Sequence, residues 1–67
     1  MKQLLTTLKD HRQKAGLTQA DLAELVDVSR KTINTVENGV FVPSTILSLK
    51  LARALKVTVE DLFQLPN

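Results

Sequence analysis

The stretch LTQADLAELVDVSRKTINTVENG, residues 17–39, gathers polar side chains suited to hydrogen bonding on one helical face. At about 100° per residue, a helix starting after Ser29 turns Ile33 and Val36 to one side. The opposite side carries two cations, two amides and a hydroxyl: Arg30, Lys31, Asn34, Thr35 and Asn38. In a DNA major groove, Arg or Lys donates to guanine, Asn pairs bidentately with adenine, and a Thr methyl contacts thymine. The face therefore predicts base contacts in duplex DNA.

Solvent alone makes most outward helix faces polar, so the elements that position this face have to support that interpretation. Thr18 predicts the N-cap of a preceding helix, with Asp21 placed to close a capping box. Ser29 predicts the N-cap of the next helix, and Gly39 predicts its end. Two short helices with so brief a connection cross at roughly 90–120°. That geometry projects the second of them away from the body of the domain, which favours the DNA interpretation.

The same helical spacing predicts the other elements. A first helix over residues 3–15 ends at Gly16, a fourth covers 45–56, and a short fifth covers 59–64. The inward stripe of the second helix is predicted to be Leu22, Ala23, Leu25 and Val26, and one face of the fourth carries Leu49, Ala52 and Leu55. Strand-like alternation is confined to VFV, too short to carry a sheet. The sequence therefore predicts one compact all-α domain of five helices over residues 1–67.

Composition bounds the chemistry of the chain. It has 67 residues, nine Lys or Arg against seven Asp or Glu, one His and no Cys. The net charge of +2 does not by itself indicate a nucleic-acid partner. Disulfides and thiolate metal sites are excluded, and one His cannot build a metal site alone. No segment has the length of a membrane span or the pattern of a signal peptide, so a soluble cytoplasmic protein is expected.

An enzyme is not expected. The sequence contains no nucleophile–base pair, no metal-ligand cluster and no Gly-rich phosphate loop, and the chain is too small to enclose a pocket. No cofactor and no small-molecule ligand are predicted. Because no second domain is predicted either, no sensor module is evident, and activity is expected to depend on concentration, dimerisation or a partner protein.

Four segments resemble, in order and spacing, the Cro and lambda-type repressors of the XRE-like helix-turn-helix family. The segments are LKDHRQKAG, GLTQADLAELVDVS, TINTVENG and PSTILSLKLARALKVTVEDLF, which together cover most of the chain. The resemblance implies a lambda-repressor-like fold whose second and third helices form the helix-turn-helix. It also implies a sequence-specific transcriptional regulator, with repression as the expected mode, that binds a palindromic operator in double-stranded DNA as a homodimer.

The resemblance assigns roles to individual residues. The base-facing positions of the third helix are Arg30, Lys31, Thr32, Asn34 and Thr35. The positions that contact phosphate are Thr18, Gln19, Ser29 and Asn38, and Gln19 lies beside the positive end of the second helix. Arg12 in the first helix and Glu37 in the third occupy the places of a partly buried structural ion pair.

Three features depart from the family pattern. Asp27 stands where Gly is frequent in the turn, and Asp tolerates the left-handed backbone expected there. His11 replaces a usual Leu on the inner side of the first helix; it is expected to pack there, with a pH-sensitive first helix as the alternative. The loop after Gly39 is apolar where relatives carry phosphate-binding residues. Its Val40, Val42 and Ile46 either pack inward or lie simply exposed, or they join Leu65 in a surface used for dimerisation.

A second function stays open. A protein-interaction module or an antitoxin-like subunit would keep this fold and bind DNA weakly. The low net charge and the apolar loop after Gly39 favour that alternative. A steep fall of DNA affinity with salt would argue against it, because each neutralised phosphate releases counterions.

Overall fold

Short helices pack around one apolar core in the computed structural model, which describes residues 4–66. Within this range the predicted five helices are confirmed. They are α1 (Leu8–Lys14), α2 (Gln19–Val26), α3 (Arg30–Glu37), α4 (Thr45–Leu55) and α5 (Val59–Leu62), with two short strands, β1 (Leu5–Thr6) and β2 (Phe63–Gln64). None of the helices in this part of the chain is long and apolar enough to cross a membrane.

Capping side chains determine where α2 and α5 begin. Thr18 and Thr58 accept hydrogen bonds on their hydroxyl oxygens from the backbone N–H groups of Asp21 and Asp61, at 3.0 and 3.1 Å. Each Asp carboxylate accepts the backbone N–H of its Thr in return, which completes two capping boxes. These bonds satisfy N–H groups that have no partner inside the helix.

Residues with a left-handed backbone conformation follow each of the first four helices. Gly16 and Gly39 have φ of 74° and 73°, and Asp27 and Lys56 have φ of 60°. Asp27 was expected to adopt this conformation, and it lets the N–H of Val28 reach the carbonyl of Ala23 at 3.0 Å. The chain therefore passes from α2 to α3 through residues 27–29 alone.

The first predicted helix is too long at its N-terminal end. It was expected from residue 3, which lies outside the described residues, but α1 begins at Leu8. Leu5 and Thr6 instead pair antiparallel with Gln64 and Phe63. This pairing also ends the fifth helix two residues earlier than expected, because residues 63–64 are extended. The Thr7 hydroxyl donates to the carbonyl of Asp61 at 2.6 Å and fastens the start of α1 to α5.

The core draws on every helix among the described residues. Its buried apolar members are Leu8, Leu22, Ala23, Val26, Ile33, Val36, Leu47, Leu51, Ala52, Leu62 and Phe63. One predicted position of the inward stripe of α2 is wrong, because Leu25 is 61% exposed. Leu25 lies about 100° around the helix from the centre of the arc formed by its buried neighbours. On the predicted face of α4, Ala52 is buried whereas Leu49 is 58% exposed.

The capping box of α5 predicts a pH-dependent stability. The backbone N–H of Thr58, followed by its hydroxyl, holds the pKa of the Asp61 carboxyl below its ordinary value. A pKa lowered by folding stabilises the protein above the unfolded-state pKa, and that contribution is lost as pH falls through the folded-state pKa. We expect Asp61→Asn to lower the free energy of unfolding at pH 7 and to flatten its decline in acid, measured by urea denaturation between pH 7 and pH 2.

Glu60→Gln is the matched control, since Glu60 is an exposed carboxylate in the same first turn. It should leave the acid dependence nearly unchanged. An equal loss in both variants would attribute the effect to negative charge near the helix terminus and would contradict the role of the capping bonds.

Candidate nucleic-acid interface

The third helix is held by one narrow apolar edge. Ile33 and Val36 are almost fully buried and pack in the core, whereas Arg30, Lys31 and Asn34 are exposed. The α3 sequence thus separates into a buried edge and a polar surface, as its spacing predicted. The exposed residues Arg30, Lys31, Asn34 and Asn38 lie together with half-buried Thr32 and Thr35 on the recognition face, the name used here for these six residues.

Both cations of the recognition face are free of carboxylate partners. Within residues 4–66, neither Arg30 nor Lys31 forms an ion pair. An unpaired guanidinium brings five N–H donors to a ligand, and an ammonium brings three. They are available for acceptor groups such as phosphate oxygens or guanine O6 and N7. Across the described residues, no cluster of three or more His, Asp or Glu side chains forms a metal site.

The hydroxyl groups at the start of α3 serve the helix itself. Ser29 Oγ accepts the backbone N–H of Thr32 at 3.1 Å and shares a hydrogen bond with the Thr32 hydroxyl at 2.9 Å. Thr35 donates its hydroxyl proton to the carbonyl of Thr32, also at 2.9 Å. Ser29 is therefore the N-cap of α3 in addition to its predicted place at the DNA. The Thr35 hydroxyl proton is already used inside the helix.

A buried ion pair joins the first and third helices. Arg12 Nε donates to Glu37 Oε2 at 2.5 Å, and Arg12 Nη2 donates to Glu37 Oε1 at 3.3 Å. The side chains of Arg12 and Glu37 are only 10% and 2% exposed. Arg12 Nη1 also donates to the carbonyl of Leu17 at 2.8 Å, in the loop that precedes α2. One guanidinium thus ties together α1, the α1–α2 loop and the end of α3.

Side-chain amides extend this ion pair to the recognition face. Gln19 Nε2 donates to Glu37 Oε1 at 3.0 Å and to Asn34 Oδ1 at 3.2 Å. Asn38 Nδ2 donates to the same Asn34 oxygen at 3.3 Å. Gln19 is half-buried, with its amide nitrogen directed at α3. This bridge could not be predicted from the spacing of residues, because Gln19 and Glu37 meet only when α2 and α3 cross.

The loop residues with a predicted role in dimerisation are exposed. Val40, Val42, Ile46 and Leu65 have exposed fractions of 77, 58, 68 and 79%. The alternative in which the loop packs inward is therefore wrong. Phe41 and Leu49, which were not predicted to belong to this surface, are also exposed, and Ile46 and Leu49 border a shallow groove with Lys50 and Arg53. We name Val40, Phe41, Val42, Ile46 and Leu49 the apolar surface.

The other predicted positions have clear places. Thr18 is the N-cap of α2, and both its hydroxyl oxygen and its N–H bond to Asp21. His11 is half-buried in α1 and contributes a small part of the lowered pKa of Asp61. An open groove between the α1–α2 loop and α3 is bordered by Thr18, Gln19 and Arg30. This groove places the first turn of α2 beside the first residue of α3.

Known proteins share the sequence pattern of this chain over most of its length. The family model described as Helix-turn-helix matches residues 8–62. An uncharacterised HTH-type transcriptional regulator of Methanothermobacter thermautotrophicus is 48% identical over 59 residues, which cover 87% of this chain and 86% of the relative. A similar regulator of Bacillus subtilis is 40% identical over 58 residues, covering 87% of this chain and 88% of the relative.

Two solved structures share the fold. The restriction-modification controller protein C.AhdI from Aeromonas hydrophila matches with a TM-score of 0.76 and 35% identity, covering 81% of this chain and 82% of its own. The clp gene regulator ClgR from Corynebacterium glutamicum also matches with a TM-score of 0.76, at 31% identity. That match covers 81% of this chain and 57% of ClgR, so the fold here corresponds to a little over half of that regulator.

The burial of the ion pair predicts a large and asymmetric mutational effect. Arg12→Met should lower the free energy of unfolding by about 3–5 kcal/mol, because it leaves the Glu37 carboxylate buried without its partner. Urea denaturation followed by circular dichroism measures this loss. Replacing both residues, Arg12→Met with Glu37→Leu, should cost less than Arg12→Met alone. A loss below about 1 kcal/mol for Arg12→Met would contradict burial of the pair, since exposed pairs contribute that little.

Proposed function

The chain belongs to the helix-turn-helix family of Cro- and lambda-type transcriptional regulators, and we propose that it represses transcription as a homodimer on a palindromic DNA operator. Repression is the proposed mode, since a dimer bound over a promoter would exclude polymerase from it. The cytoplasm is the compartment proposed, because duplex DNA lies there in the bacteria and archaea from which the relatives come.

The main support for the proposal is the recognition face, whose two cations form no ion pair within residues 4–66. Arg30 and Lys31 lie in the first turn of α3, the part of a recognition helix that reaches base edges. Arg donates bidentately to guanine O6 and N7, and Lys donates to the same atoms as a point charge. Thr32, Asn34 and Thr35 follow along the same face. Because Ile33 and Val36 hold the opposite edge in the core, this face is free to lie in the major groove.

Backbone contacts would fix the register of α3 on the duplex. The first turn of α2, which follows Thr18 and begins at Gln19, lies at the positive end of a helix, where phosphate binds favourably. The Thr18 hydroxyl accepts from Asp21 and keeps its own proton for a phosphate oxygen. Ser29 and Asn38 flank α3 at its two ends, and we propose phosphate contacts for both. Such contacts position the protein but carry no base information.

Dimerisation through the apolar surface would double the sequence that is read. One α3 covers a few base pairs, whereas two related by a two-fold axis contact half-sites about 34 Å apart. Large apolar side chains exposed side by side mark interaction sites, and Val40, Val42 and Ile46 are each more than half exposed. In a two-fold homodimer, the apolar surface of each copy would pack against the same surface of the other.

A second candidate function rests on the same apolar surface. A protein-interaction module, or an antitoxin-like subunit, would cover these side chains with a different chain and bind DNA weakly. The net charge of +2 favours this candidate, because strong nonspecific DNA binding usually needs a more basic surface. Selection from random duplex DNA near physiological salt separates the two. An enriched inverted repeat supports the regulator, and no enrichment supports the interaction module.

The recognition face predicts specific losses of affinity. Arg30→Ala and Lys31→Ala should each weaken binding to the selected operator by about 1–3 kcal/mol and relax base preference at the position contacted. Fluorescence anisotropy on the operator and on scrambled DNA measures both effects. Lys9→Ala is the charge-matched control, an exposed Lys in the first turn of α1, and should change affinity little. Equal losses in all three variants would attribute the effect to net charge and contradict base contacts.

The apolar surface predicts a monomeric variant. Ile46→Lys places a cation next to Lys50 and Arg53 of both copies and should shift a dimer to monomers, measured by sedimentation equilibrium without DNA. Leu25→Lys is the matched control, because Leu25 is similarly exposed and also borders Lys50 and Arg53, outside the apolar surface. A dimer that survives Ile46→Lys, or one lost equally in both variants, would exclude this surface as the interface.

A further inference from the structure

A row of polar side chains runs from the buried ion pair to the recognition face. It begins at Glu37, passes through Gln19 and reaches Asn34, which also contacts Asn38. Glu37 is an ionised carboxylate beside the Arg12 guanidinium and can only accept hydrogen bonds. Because the Glu37 carboxylate can only accept, it determines whether each amide in the row presents its oxygen or its NH₂ group to the next one.

The direction of each amide follows from that carboxylate. Gln19 must turn its NH₂ group, not its oxygen, toward Glu37, and it does so at 3.0 Å. The same NH₂ group lies 3.2 Å from the Asn34 side chain, so the Asn34 atom facing it must be the oxygen. Asn38 lies 3.3 Å from this oxygen and must also present its NH₂ group. Two donors therefore hold Asn34 Oδ1.

From this, resting on the proposed DNA function, we infer that Asn34 presents only its NH₂ group to DNA and selects guanine. Bidentate pairing with adenine needs the amide oxygen to accept from adenine N6 while the nitrogen donates to N7. The oxygen of Asn34 is already occupied by Gln19 and Asn38. Its two N–H groups match guanine, whose major-groove edge offers O6 and N7 as acceptors. The adenine contact expected from residue type alone is thereby replaced.

Gln19 and Glu37 are positioning residues in this arrangement. They act on the base through Asn34, and Arg12 fixes the carboxylate from the other side. The hydrogen bonds from Gln19 to Glu37 and to Asn34 form a clamp that is present in the free protein and is anchored in the buried ion pair. The direction of the Asn34 amide is therefore set before DNA binds. Preorganised donors of this kind avoid the cost of ordering a side chain on binding.

Selection from random duplex DNA is carried out with the full chain and with its Asn34→Ala variant. The base pair contacted by Asn34 is the position at which the variant loses the base preference of the wild type. We expect guanine there in the wild type, favoured over adenine by about tenfold or more. Asn34→Asp is nearly isosteric but only accepts, so it should shift the preference at that position from guanine to cytosine, whose N4 donates.

Gln19→Met tests the clamp while keeping side-chain length. It removes one of the two donors to the Asn34 oxygen and leaves only Asn38, so the oxygen can accept from adenine and the guanine-to-adenine ratio at that position should fall about fivefold or more. Gln13→Met, the same change at an exposed Gln of α1, is the control and should leave the ratio unchanged. The inference alone is overturned if the wild type prefers adenine at that position, or if no position depends on Asn34. It is also overturned if Gln19→Met leaves the guanine-to-adenine ratio unchanged. No enriched sequence at all overturns the proposed function as well.

Discussion

The ion pair between Arg12 and Glu37 is the interaction on which the arrangement of the helix-turn-helix depends. α3 has eight residues and only Ile33 and Val36 of them in the core, which is little apolar surface to hold a helix in place. The pair adds a charged contact from α1, and Arg12 also holds the carbonyl of Leu17 ahead of α2. Because both side chains are almost fully buried, the pair requires this geometry and no other: any displacement would leave a charge without a partner.

The helices around that pair are too short to be stable on their own. α1, α2 and α3 have seven or eight residues each, and isolated helices of that length are marginal in water. Capping side chains and left-handed turn residues end them sharply, so each helix exists only within the packed whole. The antiparallel pairing of β1 with β2 joins the two ends of the described chain and closes the core beside Leu8 and Leu62. The stability of the fold therefore depends both on the residues that cap and end each helix and on one small core.

The small contribution of α3 and of the following loop to the core explains why the recognition face and the apolar surface remain exposed. Since α3 needs only one apolar edge, the rest of it is free for unpaired cations and amides, and Gln19 couples that polar face to the buried pair. Since the loop after α3 contributes little to the core, its apolar side chains stay exposed beside α4. The function proposed above assigns DNA contact to the first of these surfaces and dimerisation to the second. The comparisons with HTH-type regulators of bacteria and archaea show the family to which the chain belongs.

Features that depend on neighbours along the chain could be predicted from the residues alone. The N-caps at Thr18, Ser29 and Thr58, the left-handed Asp27 and the polar face of α3 all follow from residues three or four apart, and the ordered motifs indicated the family. The remaining features depend on how the helices pack. The late start of α1 arises from pairing with residues almost sixty positions away, the exposure of Leu25 and Leu49 from where other helices lie, and the direction of the Asn34 amide from a carboxylate reached through Gln19. Local spacing cannot encode these, because each depends on groups that only folding brings within hydrogen-bonding or packing distance.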